Sequence, residues 1–406
     1  MLATVVAVNA RLSWRPVFVD FGQRGSATDS PAYLPVAWRG DRLWLLKYPS
    51  SFSLSLGTNP PCIWRITRNW NRVPLPLVCG TSGLGDVMAL NAATREFAQT
   101  RGLGADTRIQ IQRDNTFSRF LEDKGHRNRY NLMRPRAATL FSFSPDGTHL
   151  IANSQLYGLS DATEVKNGFC AYGAVLFDVR SGQQIRRQSA VEGCFTDFAW
   201  SPDSREVAGI TADGWVFILD GASGQLRLKF RAHQYFGAQV AWAPDGKTLL
   251  TATNSRLGWS PTHLAFDFKS GVGFMGGGSF IMRGDKGRAG IAIVQHSNGE
   301  LTFNGHTERL LKRFDSQTGK QRGKSVPLQT GAVDMVFSPD GRQVALGEHN
   351  FALILDADTL ATKRRLPTSV PAPTNSPPDP VCVAWSPDGG TLATSTWRGI
   401  TLWRTR

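Results

Sequence analysis

A four-residue turn recurs along this chain and restricts its fold more than any other feature. Ser144-Pro145-Asp146-Gly147 returns as Ser201 to Ser204, Ala243 to Gly246, Ser338 to Gly341 and Ser386 to Gly389. Each copy carries turn chemistry: Pro presets its own φ, Asp bonds its local backbone, and Gly takes positive φ. A short strand ending in a small residue and an aromatic precedes the turn, as in Phe198-Ala199-Trp200, Val240-Ala241-Trp242 and Val383-Ala384-Trp385. A second signature, Asp-x-x-Ser/Thr-Gly, follows at Asp178, Asp220, Asp267 and Asp315, with Asp356 to Thr359 as a version lacking the glycine. Between the two signatures fit two short strands joined by a hairpin such as Asp213-Gly214. A unit of about 40 to 50 residues with four short strands points to radially stacked sheets.

The turn prolines are separated by 57, 42, 95 and 48 residues. The longest gap spans about two periods, so a degenerate repeat is expected inside it, near Ile291 to Gly299. Val36 to Gly40 supplies another near the N-terminus, and the count reaches seven.

These units resemble WD-repeat propeller blades, in which Ser-Pro-Asp-Gly joins strands a and b, and Trp-Asp followed by x-x-Thr-Gly closes strand c. The resemblance covers about residues 33–78 and 137–406. It implies an all-β fold: a single seven-bladed β-propeller, with an eighth blade within 80–136 as the alternative. The expected blades are 33–79, 137–190, 191–233, 234–283, 284–328, 329–367 and 380–406. They leave 1–32 as a closing strand and connector, 80–136 as a basic insertion or cryptic blade, and 368–379 as a Pro-rich loop. After Pro387 only 19 residues remain, too few for strand d, so Thr4 to Val8 or Pro16 to Phe21 is expected to supply it. No Trp-Asp dipeptide is present; Phe177-Asp178, Leu219-Asp220, Phe314-Asp315 and Trp403-Arg404 take its place. The Gly-His that opens such blades is echoed only by Ala232-His233. The family's Asp-His-Ser/Thr-Trp hydrogen-bonded tetrad is therefore not expected, which leaves packing to hold the blades.

In such a blade the b-to-c loops and the d-to-a connections share one face. From the turn Pro to the following Asp the spacing is 18 from Pro202 and 17 from Pro339, but 23 from Pro244 and 33 from Pro145. Extra material thus lies between b and c at 256–261, 155–171 and 48–61, and two d-to-a connections, 80–136 and 367–380, are longer still. Every sizeable insertion falls on one face. Loops held by a rigid scaffold carry function, so this face is read as the working one, with Tyr48, Tyr157, Tyr172 and Trp259 as aromatic anchors for a protein partner.

Reaction chemistry is absent from the pattern. Gly271 to Gly276 spells G-x-G-x-x-G, but Gly277-Gly278-Ser279 after it refuses the helix that a dinucleotide site needs. No G-x-S-x-G, P-loop, H-E-x-x-H or EF-hand loop occurs, and the 7 histidines are scattered without metal-ligand spacing. The 5 cysteines form no C-x-x-C, and Cys62 and Cys79 are placed to face each other across a hairpin. The reading is a non-catalytic interaction scaffold with no cofactor and no metal. An RNA- or DNA-binding propeller, or an enzyme with an axial pocket, is the alternative.

Charge marks one segment. The chain carries 46 basic and 32 acidic side chains, net +14. Within 80–136, ten basic residues outnumber six acids. Arginine forms bidentate bonds to phosphate and carboxylate, so Arg108, Arg113, Arg119, Arg127 and Arg129 are expected to contact nucleic acid or another anionic partner. No run of about 18 apolar residues spans a membrane, and the compartment is read as cytoplasmic.

Overall fold

The computed structural model describes residues 15–19, 32–39, 42–48, 62–66, 78–79, 88–91, 94, 96–101, 108–113, 116–121, 141–155, 172–188, 195–211, 214–234, 237–254, 279–282, 291–295, 301–303, 308–367, 381–396 and 399–405. All of its regular elements there are strands in antiparallel sheets of three or four. The chain divides into two compact units, one of Met1–Leu54, Pro61–Cys79 and Asp334–Arg406, the other of Ser55–Pro60 and Gly80–Val333.

The first unit holds three four-stranded sheets. One is Ala32–Arg39, Arg42–Tyr48, Cys62–Ile66 and Val78–Cys79. Cys62 and Cys79 are cross-strand partners there, as the hairpin reading placed them. The second is Asp334–Phe337, Gln343–Gly347, Phe351–Asp356 and Thr362–Pro367. In the third, Cys382–Trp385, Thr391–Thr396 and Gly399–Arg404 supply three strands, and the fourth is Arg15–Val19. Arg15 pairs with Arg404 and Val19 with Ile400, so of the two N-terminal candidates the strand falls on the later one; Thr4 to Val8 lies outside the described residues.

The second unit contains four more four-stranded sheets and one of three strands. Met88–Asn91, Glu96–Arg101, Arg108–Arg113 and Thr116–Leu121 form a sheet inside the segment that the sequence left as insertion or cryptic blade. Phe141–Phe143, His149–Gln155, Tyr172–Asp178 and Gln184–Gln188 make the next. Phe195–Trp200, Glu206–Thr211, Trp215–Asp220 and Leu226–Arg231 follow. Gly237–Trp242 and Thr248–Thr253 then pair onward with Leu310–Asp315 and Val326–Pro327.

That last pairing differs from the sequence reading, which split this stretch into blades at 283/284. Strand b meets its strand c across the 56 residues 254–309, with Leu249 opposite Phe314. The degenerate repeat seen in the sequence lies in this b-to-c connection as a small sheet of Ser279–Met282, Ile291–Gln295 and Leu301–Phe303. The Asp267 signature lies outside the described residues. The physical reason is that turn motifs report local geometry, whereas strand pairing is decided by which apolar faces meet. Leu249 and Phe314 belong to one buried cluster with Ile210, Ile218 and Trp242.

The core lies between facing sheets. Ala98, Ile111 and Leu121 of the 88–121 sheet pack with Leu150, Val175 and Phe177 of the 141–188 sheet. Ile151 and Leu176 pack in turn with Phe195, Trp200 and Phe217 of the 195–231 sheet. Each of the Val, Leu, Ile and Phe side chains among these, taken from water, contributes roughly 1.5–3 kcal/mol. Alternation along the strands sends successive residues to the two neighbours, which is why both faces are apolar.

The turns use their side chains as the motif implied. Ser144, Ser201, Ser338 and Ser386 each donate from Oγ to the Asp two residues on, at 2.5–2.7 Å. That hydroxyl also accepts the N–H five residues on, at 2.8–2.9 Å. In the second signature Asp178, Asp220, Asp315 and Asp356 accept the backbone N–H and the hydroxyl of the Ser or Thr three residues later. Gly147 has φ 74°, and Ser204 and Leu360 hold φ 63° and 57° where other copies place glycine. Left-handed backbone costs an L-residue roughly 1–2 kcal/mol, and burial of Leu360 offsets it.

Candidate functional site

The recurring aspartates are consumed by their turns. Serine hydroxyl bonds hold the carboxyls of Asp203, Asp220 and Asp340 below the usual value, and the Thr318 N–H leads the groups that bring Asp315 down to about 2. None is poised to exchange a proton near neutrality.

A different carboxylate sits where neighbouring sheets meet. Asp197 and Asp334, each three residues before the aromatic that ends strand a, accept the N–H of the next residue at 2.9 and 2.8 Å. Their second oxygens accept Val240 N and Val383 N on the following sheet, at 2.9 and 2.8 Å. The two staples are the same device in the same register. Burial pushes Asp334 up to about 6, against the pull of those two N–H groups.

The sign of its pH effect follows. Between its ordinary value near 3.8 and about 6, the folded state binds a proton that the unfolded state does not. Its contribution is full below 3.8 and is lost as pH rises to about 6, by at most about 1.4 kcal/mol per pH unit. His233 acts oppositely: burial lowers it from 6.5, so stability falls as pH drops below that value. Subtracting Asp334→Asn from wild type isolates the first term. Urea midpoints measured from pH 4 to 7 are expected to show a difference that changes across pH 4–6 and is flat above; a difference flat throughout would remove the assignment.

His233 roots the longest b-to-c connection. Its Nε2 meets Thr251 Oγ1 at 2.8 Å and its Nδ1 meets Glu308 Oε1 at 3.1 Å. Glu308 also accepts Gln234 N at 2.8 Å and Lys312 Nζ at 3.2 Å. Thr253 Oγ1 donates to Glu308 O at 2.7 Å and accepts Leu310 N at 2.8 Å. In the last sheet Trp403 Nε1 donates to Thr394 Oγ1 at 2.9 Å. Thr251 and Thr394 are both fourth in their b strands. The tetrad that the sequence did not lead one to expect survives as two fragments, His-Thr-Glu in one sheet and Trp-Thr in another. Packing is not the sole tie.

Of the residues nominated from sequence, Tyr48, Tyr172, Arg108, Arg113 and Arg119 are among the described ones. Tyr48 ends one strand and Tyr172 begins another, each at a b-to-c end of its sheet. Tyr157, Trp259, Arg127 and Arg129 lie outside the described residues. Arg108 and Arg113 bound one strand of the 88–121 sheet, and Arg119 lies in the next. Arg119 donates to Val179 O and to Glu96 Oε1, the latter at 3.0 Å. Glu96 is buried, and Arg113 reaches to 3.7 Å of it while remaining 58% exposed. Arg119 is thus spent on an ion pair within its own sheet and on a hydrogen bond to Val179 O, just past strand c of the neighbouring 141–188 sheet.

Sequence reasoning missed a cluster on the 195–231 sheet. Trp215 opens strand c directly after Gly214, and Arg231 lies opposite it on strand d, with Lys229 opposite Phe217. Lys229 Nζ stands 4.4 Å from the Trp215 ring centroid and 5.1 Å from that of Phe217. The Arg231 guanidinium carbon stands 5.6 Å from Trp215. The available signal was alternation: Lys229 and Arg231 fall on one face of the strand, Leu228 and Phe230 on the other.

Among the described residues no group of three or more His, Cys, Asp or Glu could hold a metal ion, and no helix is long and apolar enough to cross a membrane.

The sheets, their turns and the tetrad fragments define a WD-repeat-like β protein. The family model for the WD domain, G-beta repeat, matches residues 372–404. The chain is also similar to Striatin-4 of Mus musculus, 27% identical over 166 residues, and to Striatin-4 of Homo sapiens, 28% identical over 167. Each match covers 39% of this chain, which spans about a fifth of those relatives, 20% and 21% of their length.

Proposed function

We propose that this chain is a non-catalytic propeller whose seven four-stranded sheets are its blades, closed by the Arg15–Val19 strand, and that it serves as a protein-interaction scaffold. The observation that carries this is where the chain departs from the minimal repeat. The b and c strands of the 141–188 sheet are separated by 156–171, and those of the 237–327 sheet by 254–309. Both departures leave from the same end of their sheets, and the second is clamped at its root by His233 and Glu308. Similarity to the WD domain and to Striatin-4 supports the same reading. The basic 80–136 segment adds a contact for an anionic surface, with Arg113 as its described exposed group.

Replacing 156–171 by a four-residue turn is expected to leave the thermal midpoint within a few degrees and to reduce co-purifying proteins at least tenfold in quantitative affinity capture. Capture that instead survives this change and is abolished by substitutions at Ser181 and Ser223, on the opposite ends of the sheets, would overturn the face assignment.

A further inference from the structure

The strand Leu226–Arg231 is last in its sheet, so its outer edge offers backbone N–H and C=O groups in strand spacing. Such an edge is a template for another strand, and lysine and arginine on it stop like edges from pairing. Here the cations are also built in place. Lys229 and Arg231 lie over the Trp215 indole, and Arg231 donates from Nε to His233 O at 3.2 Å and from Nη2 to Gln234 O at 2.8 Å. Those two bonds leave Nη1 and one Nη2 hydrogen of Arg231 for a ligand, and all three hydrogens of Lys229.

Among the described residues no carboxylate pairs with Lys229 or Arg231. Glu308, which bonds the neighbouring Gln234 N, is engaged by His233 and Lys312. Arg227, the third cation of the strand, is turned away to Glu206, Ser316 O and Gln317 O. Among the described residues the charge of this pair is therefore uncompensated, and its side chains are already held. An incoming anion meets donors whose ordering entropy has in part been spent by the fold.

We infer that this edge binds an extended acidic polypeptide segment as a fifth strand, with carboxylates at alternate positions facing Lys229 and Arg231. The spacing selects a polypeptide. Alternate side chains of an added strand fall on one face, as Lys229 and Arg231 do, and its backbone matches the edge. Single-stranded nucleic acid needs a basic groove that follows many phosphates, and here the outward cations alternate with Leu228 and Phe230, which pack inward. Leu226, 44% exposed, adds an apolar contact at the other end of the strand. The charge that repels a second copy of this edge is the charge that selects an acidic one.

This rests on the scaffold reading and adds the chemistry of one partner segment. The probe is a ten-residue peptide alternating Glu and Thr, titrated against the full chain at low salt beside a Gln/Thr peptide and a ten-nucleotide oligo-dT. The Glu/Thr peptide is expected to bind at least tenfold more tightly than either, and to slow amide exchange within 226–231. Reversal of both cations, K229E with R231E, is expected to remove at least tenfold of that affinity; should reversal lower the thermal midpoint, the K229Q/R231Q pair is read in the same way. Equal binding of the two peptides, binding indifferent to the cations, protection elsewhere, or tighter binding of the oligonucleotide would each overturn the inference. Because the probe needs no native partner, its failure is separable from failure of the capture experiment above.

Discussion

Removal of residues 1–21 is expected to leave a protein that unfolds many degrees lower and aggregates on warming. The Arg15–Val19 strand makes five residue pairs with Gly399–Arg404, and it is the fourth strand of a sheet whose other three come from the far end of the chain. With a net contribution of about 1 kcal/mol per backbone hydrogen bond, the loss is on the order of 5 kcal/mol before side chains are counted. That is comparable with the whole stability of many domains. The deletion also exposes the edge of a strand whose Ile400, Leu402 and Trp403 are buried, and an apolar edge without a partner is a site for aggregation. Differential scanning calorimetry with light scattering measures both effects. Adding a synthetic peptide of residues 12–21 in trans should recover part of the loss. An undiminished melting temperature would show that the last sheet does not depend on this strand.

What could be read from sequence was what is local. The Ser-Pro-Asp-Gly and Asp-x-x-Ser/Thr-Gly turns close within a few residues through their own hydroxyl and carboxylate bonds, so the sequence that writes them is also the sequence that folds them. The 88–121 sheet carries neither turn. Asn91 replaces the serine, accepting Thr94 N at 3.2 Å and donating to Gly147 O at 2.9 Å, and the c-to-d hairpin is shortened so that Arg113 pairs with Thr116. Yet its c-to-d pairing shifts register between Ile111 and Gln112, as the motif-bearing sheets do at Leu176/Phe177, Ile218/Leu219 and Ile354/Leu355. The shared bulge shows one plan under different turn chemistry. A search for turn residues passes over it.

The 237–327 sheet failed in the other direction. Its connection contains a plausible turn of its own, His296 to Gly299, and local signals cannot say that Thr248–Thr253 reaches past it to Leu310–Asp315. Pairing at that separation is decided by burial of Leu249, Leu311 and Phe314, which no short motif encodes. The same distance concealed the site. His233, Thr251, Glu308 and Lys312 converge only after the fold has brought 308 back to 253, and Trp215 meets Lys229 and Arg231 only across a strand pair.

Glu308→Ala is expected to be the most damaging single substitution at the root of that connection. It removes an acceptor shared by His233 Nδ1, Lys312 Nζ and Gln234 N, and leaves a mostly buried ammonium without its carboxylate. Breaking such a pair from one side costs roughly 3–5 kcal/mol. Glu308→Gln keeps an acceptor and loses the charge, so about half of that loss is expected from the weaker neutral hydrogen bond. A distinguishing readout is the histidine. Burial holds His233 below 6.5, and the Glu308 hydrogen bond opposes that shift. Without Glu308 the folded-state value drops further, so the stability lost as pH falls below 6.5 becomes larger. Chemical denaturation at pH 5 and pH 8, with the His233 ring followed by NMR, should therefore show a Glu308→Ala penalty greater at pH 5. A penalty equal at both values, with His233 titrating as in wild type, would mean that the acid is not coupled to the histidine. The 254–309 connection would then be anchored by Thr253 and its backbone partners instead.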